Sequence, residues 1–147
     1  MKVLIAIILG LSVFTGVGSS FAQAEPPGFT NAVNISQVSA DSELPHVIVS
    51  GDGVFAVWTQ SSLGRSDVFF AKSTDGGNTF GIPVNLSGDT NGQSSYPQFV
   101  ENNNHIYVTW QSSLSGVSTI SMTQSLDGGA SFAKPVRGMV NMDSKLC

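Results

Sequence analysis

The chain has a single cysteine, Cys147, its last residue. No disulfide can form within it, so its stability must come from packing or association. Charge is scarce too: 11% of residues are charged, the formal net charge is −4, and only Arg65 and Arg137 are arginines. With no cluster of basic residues, the composition disfavours a nucleic-acid or anionic-membrane partner. His46 and His105 stand far apart in sequence, with no Cys or carboxylate at ligand spacing, so neither a metal nor a cofactor is expected. Asp89-Thr90-Asn91-Gly92 has the composition of half a calcium loop. No bidentate Glu follows it, and it reads as a plain turn.

Long apolar runs are missing beyond the first residues. Met1-Lys2 is a minimal basic start, residues 3–14 are nearly all apolar, and Ala22-Gln23-Ala24 has the small-x-small form of a cleavage site. The run falls short of the ~20 apolar residues that span a bilayer. Residues 1–24 therefore read as a secretory signal peptide rather than an anchor. No later segment is apolar enough for membrane insertion, and no Cys near the cleavage point suggests a lipoprotein. Cleavage would leave residues 25–147, about one domain's length, beginning at Glu25 and located outside the cell or at its surface.

What the chain has in abundance is repetition. Ser73-Thr74-Asp75-Gly76-Gly77-Asn78-Thr79-Phe80 is followed 52 residues later by Ser125-Leu126-Asp127-Gly128-Gly129-Ala130-Ser131-Phe132. The same offset relates Pro45 to Pro97, Trp58 to Trp110 and Pro83 to Pro135, so a whole unit is repeated. Each octapeptide reads as a turn between strands. The Asp carboxylate can accept turn N–H groups, the Gly pair supplies positive φ, and the aromatic lands on the returning strand to plug the apolar layer.

Alternation and β-branched content place four short antiparallel strands in each unit, at 46–50, 54–60, 67–72 and 80–86, then 98–100, 106–111, 119–124 and 132–137. Phe55 and Val57 alternate with Val54, Ala56 and Trp58, so both faces of an inner strand are apolar. Such a sheet belongs between two others. A partial third copy precedes them: residues 29–36 parallel 80–87 at an offset of 51, as if the last strand of a preceding sheet.

The octapeptides fit Ser-x-Asp-x-Gly-x-x-aromatic, which resembles the Asp box, or bacterial neuraminidase repeat, of sialidases and of many non-enzymatic β-propellers, among them the sortilin-type and photosynthesis-assembly propellers. The resemblance covers roughly residues 29–140 and implies an all-β fold of β-propeller blades: blade one at 45–86, blade two at 97–137, and a stray fourth strand at 29–36. In those families the box joins the third and fourth strands of a blade and is structural. That role passes to Ser73, Asp75, Gly77 and Phe80, and to Ser125, Asp127, Gly129 and Phe132. Closed propellers have about four to eight blades. An incomplete propeller of this kind is expected to be part of a longer chain or a homo-oligomer, for example a ring of three copies in which each 29–36 strand completes a neighbour's blade.

Sialidases with such boxes also carry a three-arginine carboxylate clamp, an Arg-Ile-Pro start and a Tyr nucleophile paired with a Glu. Here there are two arginines, and Gly81-Ile82-Pro83 has Gly in place of the Arg. Arg65 reads as a solvated or locally paired turn charge, Tyr107 as a packed or edge-facing strand residue, and Trp58 and Trp110 as core. Tyr96 corresponds to Leu44, so it reads as a packing position. The sequons Asn34-Ile35-Ser36 and Asn85-Leu86-Ser87 offer Asn34 and Asn85 for glycosylation in a suitable host. The reading is a secreted, non-catalytic module for extracellular binding or assembly, with a glycan or protein ligand. The alternatives are a fragment of a sialidase-like (exo-alpha-sialidase) glycoside hydrolase and a structural cell-envelope protein.

Overall fold

The computed structural model describes residues 32–88 and 92–138. The chain divides into two units, 1–31 and 32–147. The leader, residues 29–31, the turn at Asp89, Thr90 and Asn91, and Cys147 lie outside the described residues.

The described residues are all-β. Strands β1 (Asp41–Ser50), β2 (Gly53–Ser62), β3 (Arg65–Ser73) and β4 (Val84–Asn85) form one antiparallel sheet in chain order. Strands β5 (Gln93–Asn102), β6 (His105–Leu114), β7 (Val117–Ser125) and β8 (Val136–Arg137) form a second, built the same way. The two sheets stack without closing into a ring. Registers repeat as the sequence does: Trp58 lies opposite Phe69 in sheet one and Trp110 opposite Ser121 in sheet two.

Period-two alternation sorts the side chains onto faces. Phe55 and Val57 of β2, with Val68 and Phe70 of β3, meet Phe99, Ile106, Val108 and Trp110 of sheet two in one buried core. The sheets are not mirror images across this core. Sheet one contributes its odd-numbered β2 positions, whereas sheet two contributes the even positions of β6, which correspond to Val54, Ala56 and Trp58. Two like units are thus stacked front to back. The opposite face of sheet one carries a smaller cluster of Ala56, Trp58 and Ala71, packed against Ile35, Phe69 and Phe80.

Two departures from the sequence reading have local causes. The fourth strands are two residues long rather than seven or six. Gly81 N–H donates to the Lys72 carbonyl at 3.0 Å and Leu86 N–H to the Val68 carbonyl at 2.8 Å, so the segment follows β3, but Pro83 between them has no N–H to give. In the second unit Ala133 and Gly138 repeat the pattern around Pro135. The first strands are instead longer than expected, because each contains a bulge. Leu44 and Pro45 together lie opposite Trp58, and Tyr96 and Pro97 together opposite Trp110. The unpaired residue of a bulge is where a proline does no harm to the ladder.

Of the 29–36 segment, residues 32–36 form no strand ladder. Asn34 Oδ1 accepts the Ser36 N–H at 3.2 Å, as Asn85 Oδ1 accepts the Ser87 N–H at 3.0 Å. The partial third copy therefore shares the turn of the strand end it resembles.

Candidate functional site

The repeated octapeptides form two hydrogen-bond networks with the same connections. In the first, the buried Ser73 hydroxyl donates to Asp75 Oδ1 at 2.6 Å and accepts the Gly77 N–H at 2.9 Å. Asp75 then accepts the Thr79 N–H at 2.9 Å and the Thr79 hydroxyl at 2.6 Å. Ser125, Asp127, Gly129 and Ser131 reproduce all four bonds. The turns are also tied sideways: Gly76 N–H donates to the Asp52 carbonyl and Gly128 N–H to the Asn104 carbonyl, joining each octapeptide to the β1–β2 or β5–β6 turn of its own sheet.

Donors converging on the carboxylates favour their charged forms. The Ser73 hydroxyl, then Thr79, lowers the Asp75 carboxyl to about 2. Asp127 lies well below the usual carboxylate range, through the Ser131 hydroxyl above all. Both aspartates have both oxygens engaged within the turn.

The glycines have the required geometry, with Gly77 at φ +91° and Gly129 at φ +78°. The aromatics plug the layers: Phe132 stands edge-on to Phe70 at 4.9 Å, and Phe80 packs against the Trp58 cluster. Thr79 and Ser131, which supply the second pair of bonds, fall at unspecified positions of the motif pattern. A hydroxyl before the aromatic in both copies was the available signal.

The opposite ends of the strands carry a different surface. A cleft of 440 Å³ opens between the β2–β3 turn and the two bulges, with Glu43, Arg65, Ser66, Gln93 and Tyr96 in its walls. Gln93 fixes it across the sheets. Its Oε1 accepts the Ser66 N–H at 2.7 Å and the Ser66 hydroxyl at 2.8 Å, and its Nε2 donates to the Gly64 carbonyl at 2.7 Å. Leu44 (φ +55°) and Tyr96 (φ +56°) are in the left-handed region, which a side chain occupies at some cost. The bulge turns Tyr96 outward, 61% exposed. This corrects the packing assignment made from its Leu counterpart, since Leu44 is exposed at the same place.

Arg65 is tied into this rim. Its Nε and Nη2 donate to both oxygens of Asp67 at 3.0 to 3.2 Å, and Nη2 also reaches the Gly88 carbonyl at 3.0 Å. The local pairing expected of a turn arginine is what the geometry shows. Arg137 is exposed on β8, a different strand of the other sheet. Trp58 and Trp110 are buried core residues. Tyr107 points away from the core, on the uncovered face of sheet two.

Asn34 and Asn85 are both exposed. The Ser87 hydroxyl of the second sequon is buried, accepting the Val68 N–H and donating to Asp67. Thr59 Oγ1, Ser94 Oγ and Trp110 Nε1 are buried without a protein partner. Among the described residues no group of His, Cys, Asp or Glu is arranged to hold a metal ion. Comparison with protein-family models and with curated proteins finds no match for this chain.

Proposed function

We propose that the chain is a secreted, non-catalytic binding module of the Asp-box propeller type, its octapeptides holding the sheets and its ligand, a glycan or a peptide, taken at the bulge end. The observation that carries this reading is the division of labour along the strands. At one end the serine and aspartate of each octapeptide are engaged within their own turn; at the other, Tyr96 is exposed at a cleft whose walls mix apolar and polar groups. An exposed aromatic beside the Glu43 carboxylate, on a rim held rigid by Gln93, offers a stacking face with an acceptor next to it, the chemistry of sugar or peptide recognition.

Arg65 itself is held by Asp67 through paired hydrogen bonds, which argues against it as a member of a substrate-carboxylate clamp. An array of sialylated, neutral and amino-sugar oligosaccharides together with short peptides tests the reading. Binding that Tyr96→Ala abolishes with an unchanged melting temperature supports it. Turnover of a fluorogenic sialoside, lost in Arg65→Ala, contradicts it.

A further inference from the structure

The repeat that makes the two sheets alike breaks down in chemistry at the bulges. Glu43-Leu44-Pro45 of β1 corresponds to Ser95-Tyr96-Pro97 of β5. Both units keep the proline and the bulge, whereas the two residues before each proline differ. Unit one has a carboxylate where unit two has a hydroxyl, and unit two has a phenol ring where unit one has an alkyl side chain. The carboxylate and the ring line the same 440 Å³ cleft, together with Arg65 and Gln93.

Charge in this cleft is one-sided. Its walls carry two ionised side chains, Glu43 and Arg65. The Arg65 guanidinium lies 3.0 Å from Asp67 and is bonded to both of its oxygens, so that pair is close to neutral as seen by a ligand. Glu43 is exposed, and among the described residues no cation pairs with it. The cleft therefore offers one free negative charge and one accessible ring, Tyr96 being 61% exposed. Both attract a positive group, the carboxylate through its charge and the ring face through its quadrupole.

We propose that the cleft takes an oligosaccharide bearing a free amino sugar, whose ring stacks on Tyr96 and whose ammonium donates to the Glu43 carboxylate. This rests on the reading of the bulge end as the ligand site and names the class of ligand. The backbone argues for a sugar over a peptide. A peptide that docks beside strands adds to a sheet edge through main-chain N–H and C=O groups. Here the edge strands β1 and β5 are broken by their bulges, and Pro45 and Pro97 have no N–H to offer. Charge argues against acidic sugars, which would bring a carboxylate toward Glu43 while the Arg65 guanidinium is engaged by Asp67. N-acetylation of the sugar removes the ammonium and with it the attraction to Glu43.

The test is calorimetric titration of the full chain, at mildly acidic pH and low salt, with short oligomers of glucosamine, of N-acetylglucosamine and of glucose matched in length and linkage, and with a lysine-containing peptide. The glucosamine oligomer is expected to bind more tightly than the other two sugars by about two- to fivefold, the factor of an exposed ion pair. That advantage is expected to vanish in Glu43→Gln and to shrink at high salt. Tyr96→Leu, which gives the second bulge the residue that the first carries, is expected to abolish binding of all three sugars without a change in melting temperature. Equal affinity for the three sugars, a preference that survives Glu43→Gln, or tighter binding of the peptide would overturn this proposal and leave the bulge end as the site. Binding indifferent to Tyr96→Leu, or no binding of any probe, would overturn both.

Discussion

At the scale of single residues, the two aspartates make a pH-dependent contribution whose sign is fixed by their environment. Each carboxyl is lowered from its ordinary value of 3.8, Asp75 to about 2 through the Ser73 and Thr79 hydroxyls and Asp127 further through Ser131 and Ser125. A lowered native pKa means that the unfolded chain takes up protons first on acidification. The stability they provide is therefore complete above about pH 4 and is lost as the pH falls toward 2. The unfolding midpoint in urea should drop across that window, and a double Asp75→Asn, Asp127→Asn variant should lie lower at pH 7 and respond less to acid. An equally steep acid response in the double variant would place the sensitivity elsewhere. Thr79 and Ser131 escaped the sequence reading because a motif records identities at fixed positions, and these two share a hydroxyl rather than a name.

At the scale of elements, the equivalent glycines Gly77 and Gly129 separate the turn's conformational need from the packing of one sheet on another. Both have positive φ, so any side chain there is strained. A Cβ on Gly129 would also stand 2.6 Å from Phe70 Cζ of the other sheet, whereas one on Gly77 would meet only Val54 at 3.6 Å. Gly129→Ala should thus be more destabilising than Gly77→Ala by roughly 1–3 kcal/mol, the usual cost of overpacking, measured by denaturant unfolding; equal losses would show that the φ preference alone governs both turns. The inner strands, the hairpin turns and the 52-residue unit were legible from alternation, β-branched residues and glycine pairs. The fourth strands were read too long, because a sequence pattern does not weigh the N–H that Pro83 and Pro135 lack. The bulges were missed for a related reason. Leu44-Pro45 and Tyr96-Pro97 lie just before the runs read as first strands, at 46–50 and 98–100, and the proline that marks the irregularity was read as a boundary of the unit.

At the scale of the whole molecule, stacking two like units front to back explains why one sheet's apolar face is buried while its copy lies open. The tryptophans were correctly read as core, since a large side chain repeated in register on an inner strand has a neighbouring sheet to pack against. The site was only partly legible. The octapeptides announced themselves, but Tyr96 became visible as a cleft residue only when the bulge was seen to turn it outward. The central claim is that the octapeptides hold the fold while recognition occurs at the far ends of the strands, and Ser125→Ala tests it most directly. The Ser125 hydroxyl is buried between Asp127 and the Gly129 N–H, so its removal should lower stability by about 1–3 kcal/mol. The affinity of this variant for an oligosaccharide or peptide captured by the wild type, measured well below the melting transition, should be unchanged; a lost affinity at an unchanged melting temperature would contradict the account.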